Sequence, residues 1–298
     1  MKKLFFITFL SIFTINAQAA DIKSDIINKY NKDVNNFFTN NVNSFLSNSL
    51  GKIFPTTEVS LSSGVTNEVT GSILVVKPLT NDEDNILFTQ ASLFFSDDSR
   101  ETLNLGIGKR KLLIDDQLLL GANLFYDHEF EYYHRRTSLG IEMISSVGHL
   151  RANQYYALSG WKQEGVNGIE ERALSGNDVE VGAPLPYLPW TSVNFRSFKW
   201  EGVEGALDQE GDEMSLEAKL PFGVTVEGGK RSHDGTTEDA QFVELTWTCC
   251  KEEGASEKFG INDKAYNLTS VANQRFAKVK RQNLIVKQKK MDLTVIGF

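Results

Sequence analysis

The sequence predicts an all-β fold, a transmembrane antiparallel β-barrel of about 12 strands with an N-terminal helical segment. Three observations predict it. An export signal opens the chain, apolar and polar residues alternate with period two from residue 57 to 249, and the connections between alternating stretches are by turns brief and long. No stretch after the signal approaches 18 consecutive apolar residues, so a membrane-spanning helix is not expected there.

Lys2 and Lys3 precede an uncharged apolar run from Leu4 to Ile15, which is followed by Ala17-Gln18-Ala19. A helix needs about 20 residues to span a bilayer, so this shorter run reads as a secretory signal peptide over residues 1–19. Cleavage is expected after Ala19, or after Ala20. Losing those two lysines takes the formal charge from −8 to about −10. With no large basic segment, nucleic acid is not an expected partner. Cys249 and Cys250 are adjacent, and neighbouring Cα atoms about 3.8 Å apart lie below the usual disulfide range.

Residues 20–56 form the next segment. Ile22, Ile26, Ile27, Tyr30, Val34, Phe37, Phe38, Val42, Phe45, Leu46 and Leu50 recur at helical spacing. The many asparagines weaken that helix, so it is expected to order only by packing, as a periplasmic tether or as a plug.

The barrel occupies residues 57–249. In the stretch 102–110, Leu103, Leu105 and Ile107 alternate with Asn104, Gly106 and Gly108; the same pattern returns around 139–143, 178–185 and 214–220. The candidate strands are 57–63, 71–79, 86–95, 102–112, 117–128, 136–145, 149–159, 178–186, 191–200, 213–221, 224–232 and 239–248. An arginine or lysine turned to mid-membrane hydrocarbon costs about 2–4 kcal/mol, whereas a watery lumen accepts it. The apolar rows are therefore expected to face lipid, with Asn104, Gly106, Asn123, Glu142, Arg151, Glu180, Glu217, Glu227, Arg231 and Glu244 facing the lumen. Periodicity alone also permits the inverse, a soluble ligand-binding barrel with the apolar row inside. Brief connections at 114–116, 146–148, 187–190 and 221–223 suit periplasmic turns, and longer polar ones at 159–177, 201–212 and 232–238 suit outer loops. Tyr126, Phe130, Tyr132, Tyr133, Trp161, Trp190, Trp200 and Trp247 fall near strand ends, where interfacial girdles lie.

Little in the chain suggests chemistry. Asp127, His128, Glu129, Glu131 and His134 hold metal-ligand side chains within eight residues, but a solvated outer loop accounts for them and no metal is expected. Gly106-Ile107-Gly108-Lys109-Arg110 is followed by no helix to supply phosphate-binding amides. The acidic run from Glu201 to Glu213 reads as solvated. No G-x-S-x-G elbow occurs, and Ser145 or Ser146 beside His149 reads as a turn rather than a nucleophile and base. The expectation is a non-enzyme with no cofactor.

Several segments together resemble the β-domain of the inverse autotransporters of the intimin and invasin type. They are Asn85 to Gln90, Ser96 to Gly108, Leu120 to His128, His134 to Gly140, Leu158 to Lys162, and Val279 to Val286, in that order and spacing. The resemblance implies a twelve-stranded barrel in the Gram-negative outer membrane, with a periplasmic N-terminus and a C-terminal linker in the lumen. It implies a linker over residues 250–298, with Asn267 to Phe276 as a short helix inside the pore and Arg281 to Lys290 running out extended. Arg275, Lys280, Arg281 and Asn283 are its expected pore residues, offset by Glu180, Glu217, Glu227 and Glu244. The implied function is translocation and anchoring, related to adhesion, with membrane lipid, the β-barrel assembly machinery and periplasmic chaperones as partners. The chain stops eight residues after Lys290, so the family's immunoglobulin-like passenger is expected to be lost or separately encoded, and Met291 to Phe298 reads as a truncated passenger start. A stand-alone small outer-membrane channel is the alternative.

Overall fold

In a computed structural model, residues 54, 56–64, 69–80, 82, 84–96, 100–164, 169–234, 239–249 and 260–290 are described. The expected signal peptide with Ala19 and Ala20, the helical lead segment up to residue 53, and the stretches 250–259 and 291–298 lie outside the described residues.

Twelve strands close into an antiparallel barrel: β1 (Thr56–Gly64), β2 (Val69–Pro78), β3 (Asn85–Ser96), β4 (Glu101–Leu113), β5 (Leu118–Glu129), β6 (Arg135–Ser145), β7 (Gly148–Ala157), β10 (Gly176–Leu185), β11 (Leu188–Trp200), β12 (Gln209–Lys219), β13 (Val224–His233) and β14 (Ala240–Cys249). Each pairs with its sequence neighbours, and β1 closes on β14, with Thr57 opposite Cys249 and Gly64 opposite Phe242. Closure removes the sheet edges, which is what hydrocarbon demands of every backbone amide. A separate small sheet of β8 (Lys162–Glu164), β9 (Ile169–Ala173) and β15 (Lys287–Lys289) was not expected; it converts much of the outer loop at 159–177 into a hairpin. Strand β11 begins at Leu188 rather than 191, after a register shift at Pro184/Leu185.

Alternation sets the two faces. On β4 and β5, Leu105, Ile107, Leu124 and Tyr126 are exposed outward while Asn104, Asn123 and Asp127 are buried inside. Inner glycines leave room for rings: a Cβ on Gly106 would lie 2.3 Å from the Phe125 ring, and one on Gly108 would lie 2.4 Å from that of Phe88. Close ring-over-glycine contact needs the bare backbone.

Two expectations about the faces need correction. Apolar side chains do not point only to lipid. Near the short-turn end Leu74, Val76, Ile86, Phe88, Leu112, Leu119, Phe125 and Ile144 point inward and pack with Val271 and Val279 into an apolar core. Trp200 is not part of the girdle; it is buried inside with Tyr155, Leu174 and Phe198. The inward apolar rows exist because something apolar fills the lumen.

Candidate functional site

The lumen is filled by the linker. Along the short-turn rim its backbone is held by Trp190 Nε1 donating to the Gly260 carbonyl (3.0 Å), by Asn262 N donating to Tyr187 O (2.8 Å), and by Ser146, whose hydroxyl donates to Asn267 O and accepts from Thr269 N (both 2.9 Å). Val271 N then donates to Asp116 O (2.7 Å), in a turn where Ile114, Asp115 and Asp116 all have left-handed φ of 55, 53 and 64°. From there the chain rises inside the barrel. The helix expected over Asn267 to Phe276 is only a 3-10 turn at Ala272–Gln274. Arg110 supplies the reason, donating from Nη1 to the carbonyls of Arg275 (2.9 Å) and Ala277 (2.7 Å), so those carbonyls need no helical partners.

Three layers hold the rising chain. The lower layer is apolar: Val271 and Val279 are buried among the inward side chains of β2 to β6, with Ala272 and Phe276 packed against them. The upper layer sets Val286 against Tyr155, Leu174, Phe198 and Trp200. Between them the contacts are ionic. Lys278 meets Glu58 (3.0 Å) and Glu244 (3.7 Å); Lys280 meets Glu217 (2.6 Å) and Glu227 (3.7 Å). Above them Lys287 meets Glu129 at 2.6 Å.

The centre of the ionic layer is Asp127. Arg281 donates to both of its oxygens (2.8 and 2.6 Å), and Arg136 donates from Nε to Oδ2 (2.9 Å) while its Nη2 reaches the Gln282 carbonyl (2.6 Å). All three side chains are fully buried. Aromatic faces cover the guanidinium groups: Arg281 lies 4.5 Å from the Phe125 centroid, and Arg136 lies 4.5 Å from that of Tyr155. Tyr155 donates to Asp178 (2.7 Å) and accepts from Gln282 N (2.7 Å). Barrel arginines thus take linker carbonyls, and barrel acids take linker cations. An extended strand without a ladder partner needs such satisfaction.

The residues expected in the lumen divide into two groups. Asn104 donates to Asp127 (2.8 Å) and to the Asn283 carbonyl (3.0 Å), Glu142 anchors Arg110 (2.6 Å), and Glu217, Glu227 and Glu244 meet linker lysines as given. Arg151 instead pairs with Glu180, which also bonds His149 (3.0 Å), and Arg231 pairs with Glu213 (2.6 Å). Glu180 is thus hydrogen-bonded within the wall, and its charge also offsets that of the linker's Lys280, beyond ion-pair distance. Gly106 lies against Phe125, and Asn123 crowds the bare inner face of Gly140. Of the expected linker residues, Lys280 and Arg281 work through their charges, while Arg275 and Asn283 lend carbonyls.

The cluster expected as a solvated outer loop is largely the opposite. Asp127 and Glu129 belong to β5 and point inward, and His134 is buried beneath the outer sheet. Arg110, Arg136, Tyr155 and Asp127, together with the paired Lys278 and Glu58 and the paired Lys287 and Glu129, are site residues that sequence reasoning missed. Inward parity with Asn123 and Phe125 was the signal available for Asp127.

At the outer mouth the linker becomes β15, pairing Lys287 with Ala173 and Lys289 with Glu171 in β9. Lys290 N donates to Glu170 O (2.8 Å). The Gln288 carboxamide binds both backbone groups of Val203, accepting from N (2.9 Å) and donating to O (3.2 Å). Arg100 holds Glu171 at 2.7 Å, and the Lys290 ammonium lies 5.5 Å from the Trp161 ring centroid.

Beneath this sheet His134 has its Nδ1 3.4 Å from Ser159 Oγ and its Nε2 3.9 Å from Glu171. Burial first, then the positive charges of Lys287, Arg100 and Lys162, push its pKa down to about 4, with Glu171 pulling the other way. The unfolded state, with its ordinary value of 6.5, then binds a proton that the folded state refuses. Stability is therefore expected to fall as pH drops from about 6.5 to about 4. The midpoint temperature of heat-modifiable gel mobility reads this, and His134→Gln is expected to flatten the slope in that window.

The family described as "Inverse autotransporter, beta-domain" matches residues 10–283. The inverse autotransporter adhesin YeeJ of Escherichia coli K12 is 28% identical over 68% of this chain and 9% of its own length. Invasin of Yersinia enterocolitica is 34% identical over 37% of this chain and 13% of its own, and intimin of Escherichia coli O111:H- is 31% identical over 52% and 16%. The chain thus spans well under half the length of these three relatives. A solved chain from work described as "Unveiling the Mechanism Behind the in-meso Crystallization of Membrane Proteins" shares the fold, with a TM-score of 0.66 at 23% identity over 80% of this chain and 100% of that one. A closed twelve-stranded barrel carrying a family match over all twelve strands leaves one assignment: the chain belongs to the inverse autotransporter β-domain family and is an outer-membrane β-barrel.

Proposed function

We propose that this barrel exports its own C-terminal segment across the outer membrane and then anchors it. The carrying observation is the linker itself: residues 271–290 rise through the lumen and emerge paired to an outer hairpin, with Lys278, Lys280, Arg281 and Lys287 each opposite a barrel acid. A conduit for arbitrary solutes has no use for such matching. A segment that must stop at one position does. The short-turn rim then faces the periplasm, where the β-barrel assembly machinery and chaperones would deliver the chain after signal cleavage, and a passenger encoded in this or a separate reading frame would follow residue 290. No catalytic step is assigned. The Ser145 and Ser146 hydroxyls donate to the carbonyls of Gly148 and Asn267, and His149 bonds Glu180.

The test is an epitope tag after Phe298 on intact cells. Antibody and external protease are expected to reach it, and a tag sealed from both overturns the export reading. The stand-alone channel is distinguished by conductance in planar bilayers. The full chain is expected to pass little current and a chain deleted of residues 250–298 much more, whereas equal currents favour the channel.

A further inference from the structure

The lipid-facing wall carries a cationic patch that the translocation role does not use. Lys77 on β2 and Lys109 and Lys111 on β4 are all exposed and share the outward parity of Ile107 and Leu105. The register brings them together: Lys77 is opposite Thr89, Lys109 opposite Leu87 and Lys111 opposite Asn85, all on the intervening strand β3. Outward lysines elsewhere are neutralised within the protein, Lys199 by Asp208 (2.7 Å) and Lys230 by Asp239 (2.5 Å). Among the described residues, Lys77, Lys109 and Lys111 have no carboxylate within ion-pair distance. Of the acids on the adjoining connection, Asp84 makes no ion pair with these lysines, and Asp82 accepts from the amides of Asp84 (3.0 Å) and Asn85 (2.9 Å) while attracting Lys109 only from beyond ion-pair distance.

Depth completes the case. On β4 the outward residues between Lys109 and Glu101 are Ile107, Leu105 and Leu103. The eight steps separating the two charges, at about 3.3 Å each on a strand tilted by about 40°, span about 20 Å along the membrane normal, close to the apolar band of about 25 Å. Lys109 therefore marks the hydrocarbon border at the short-turn rim, and Lys111 lies beyond it, at headgroup level. With Lys77 next to last in β2 at the same rim, three exposed ammonium groups that form no ion pair among the described residues call for an anion that the membrane supplies.

We propose that Lys77, Lys109 and Lys111 form a binding site for the phosphate of an anionic glycerophospholipid in the leaflet at the short-turn rim. That this leaflet is the periplasmic one rests on the export reading above, but retention of the lipid does not.

The experiment uses the full chain folded in neutral detergent, with folding checked by heat-modifiable mobility. It is incubated in parallel with phosphatidylglycerol, phosphatidylethanolamine and lipopolysaccharide, and retained lipid is counted by native mass spectrometry. The chain is expected to retain phosphatidylglycerol over phosphatidylethanolamine by about fivefold or more. The combined variant K77Q/K109Q/K111Q is expected to lose that preference, and K199Q/K230Q to keep it. The site is overturned by equal retention of the two phospholipids, by a preference that survives the triple substitution, or by stronger retention of lipopolysaccharide lost on the same substitution. An exposed C-terminal tag alongside any of these would leave the export reading standing.

Discussion

Asp127→Ala is expected to be the most damaging single substitution in the lumen. It leaves the guanidinium groups of Arg136 and Arg281 fully buried, side by side, with their shared carboxylate gone. Breaking a buried ion pair by removing one partner costs about 3–5 kcal/mol. The cost here falls on both barrel and linker, because Arg136 also holds Gln282 and Asn104 loses one of its two acceptors. The midpoint of heat-modifiable mobility should drop sharply, and protease should reach the linker around residue 281. Adding Arg281→Met is expected to be less than additive, since it removes one of the two stranded charges. Strict additivity would mean that Asp127 and Arg281 act independently, against the geometry.

Arg110→Met is expected to follow closely. Its side chain joins Glu142 to the carbonyls of Arg275 and Ala277 while lying 4.5 Å from the Phe88 centroid. Methionine preserves much of the packing but strands a buried carboxylate and two acceptors, at about 3 kcal/mol. This loss sits at the lower collar, so the linker should loosen from the short-turn end and planar-bilayer current should rise. Lys230→Gln removes only an exposed, solvent-screened ion pair and is expected to leave both readouts nearly unchanged. If Arg110→Met were as mild as Lys230→Gln in both readouts, Arg110 would not be a tether.

The barrel was legible in the sequence because a closed sheet between lipid and water imposes period two. Leu103-Asn104-Leu105-Gly106-Ile107 states both faces in five residues. The lumen was harder to read because its occupant lies up to 220 residues downstream of the wall residues it touches. Leu118-Leu119-Leu120 breaks the alternation, and only the presence of Val271 and Val279 inside explains an inward leucine. Asp127 was misread for a related reason. Acids and histidines crowd around it in sequence, and such runs are usually solvated, but strand parity sends its neighbour His128 outward and Asp127 inward. The 3-10 turn at Ala272–Gln274 shows the limit of local propensity: residues that suit a helix forgo it when an arginine 165 positions away in sequence takes the carbonyl of Arg275.

The antiparallel pairing of β15 with β9 has a mechanical consequence. β9 joins the barrel rim just beyond Ala173, while β15 runs away from the rim, from Lys287 opposite Ala173 to Lys289 opposite Glu171. A tug on the chain beyond Lys290 and the counter-pull of the wall therefore act at opposite ends of the pair. The bonds of that ladder are loaded in shear and must yield together, where a peeling geometry would surrender them one at a time.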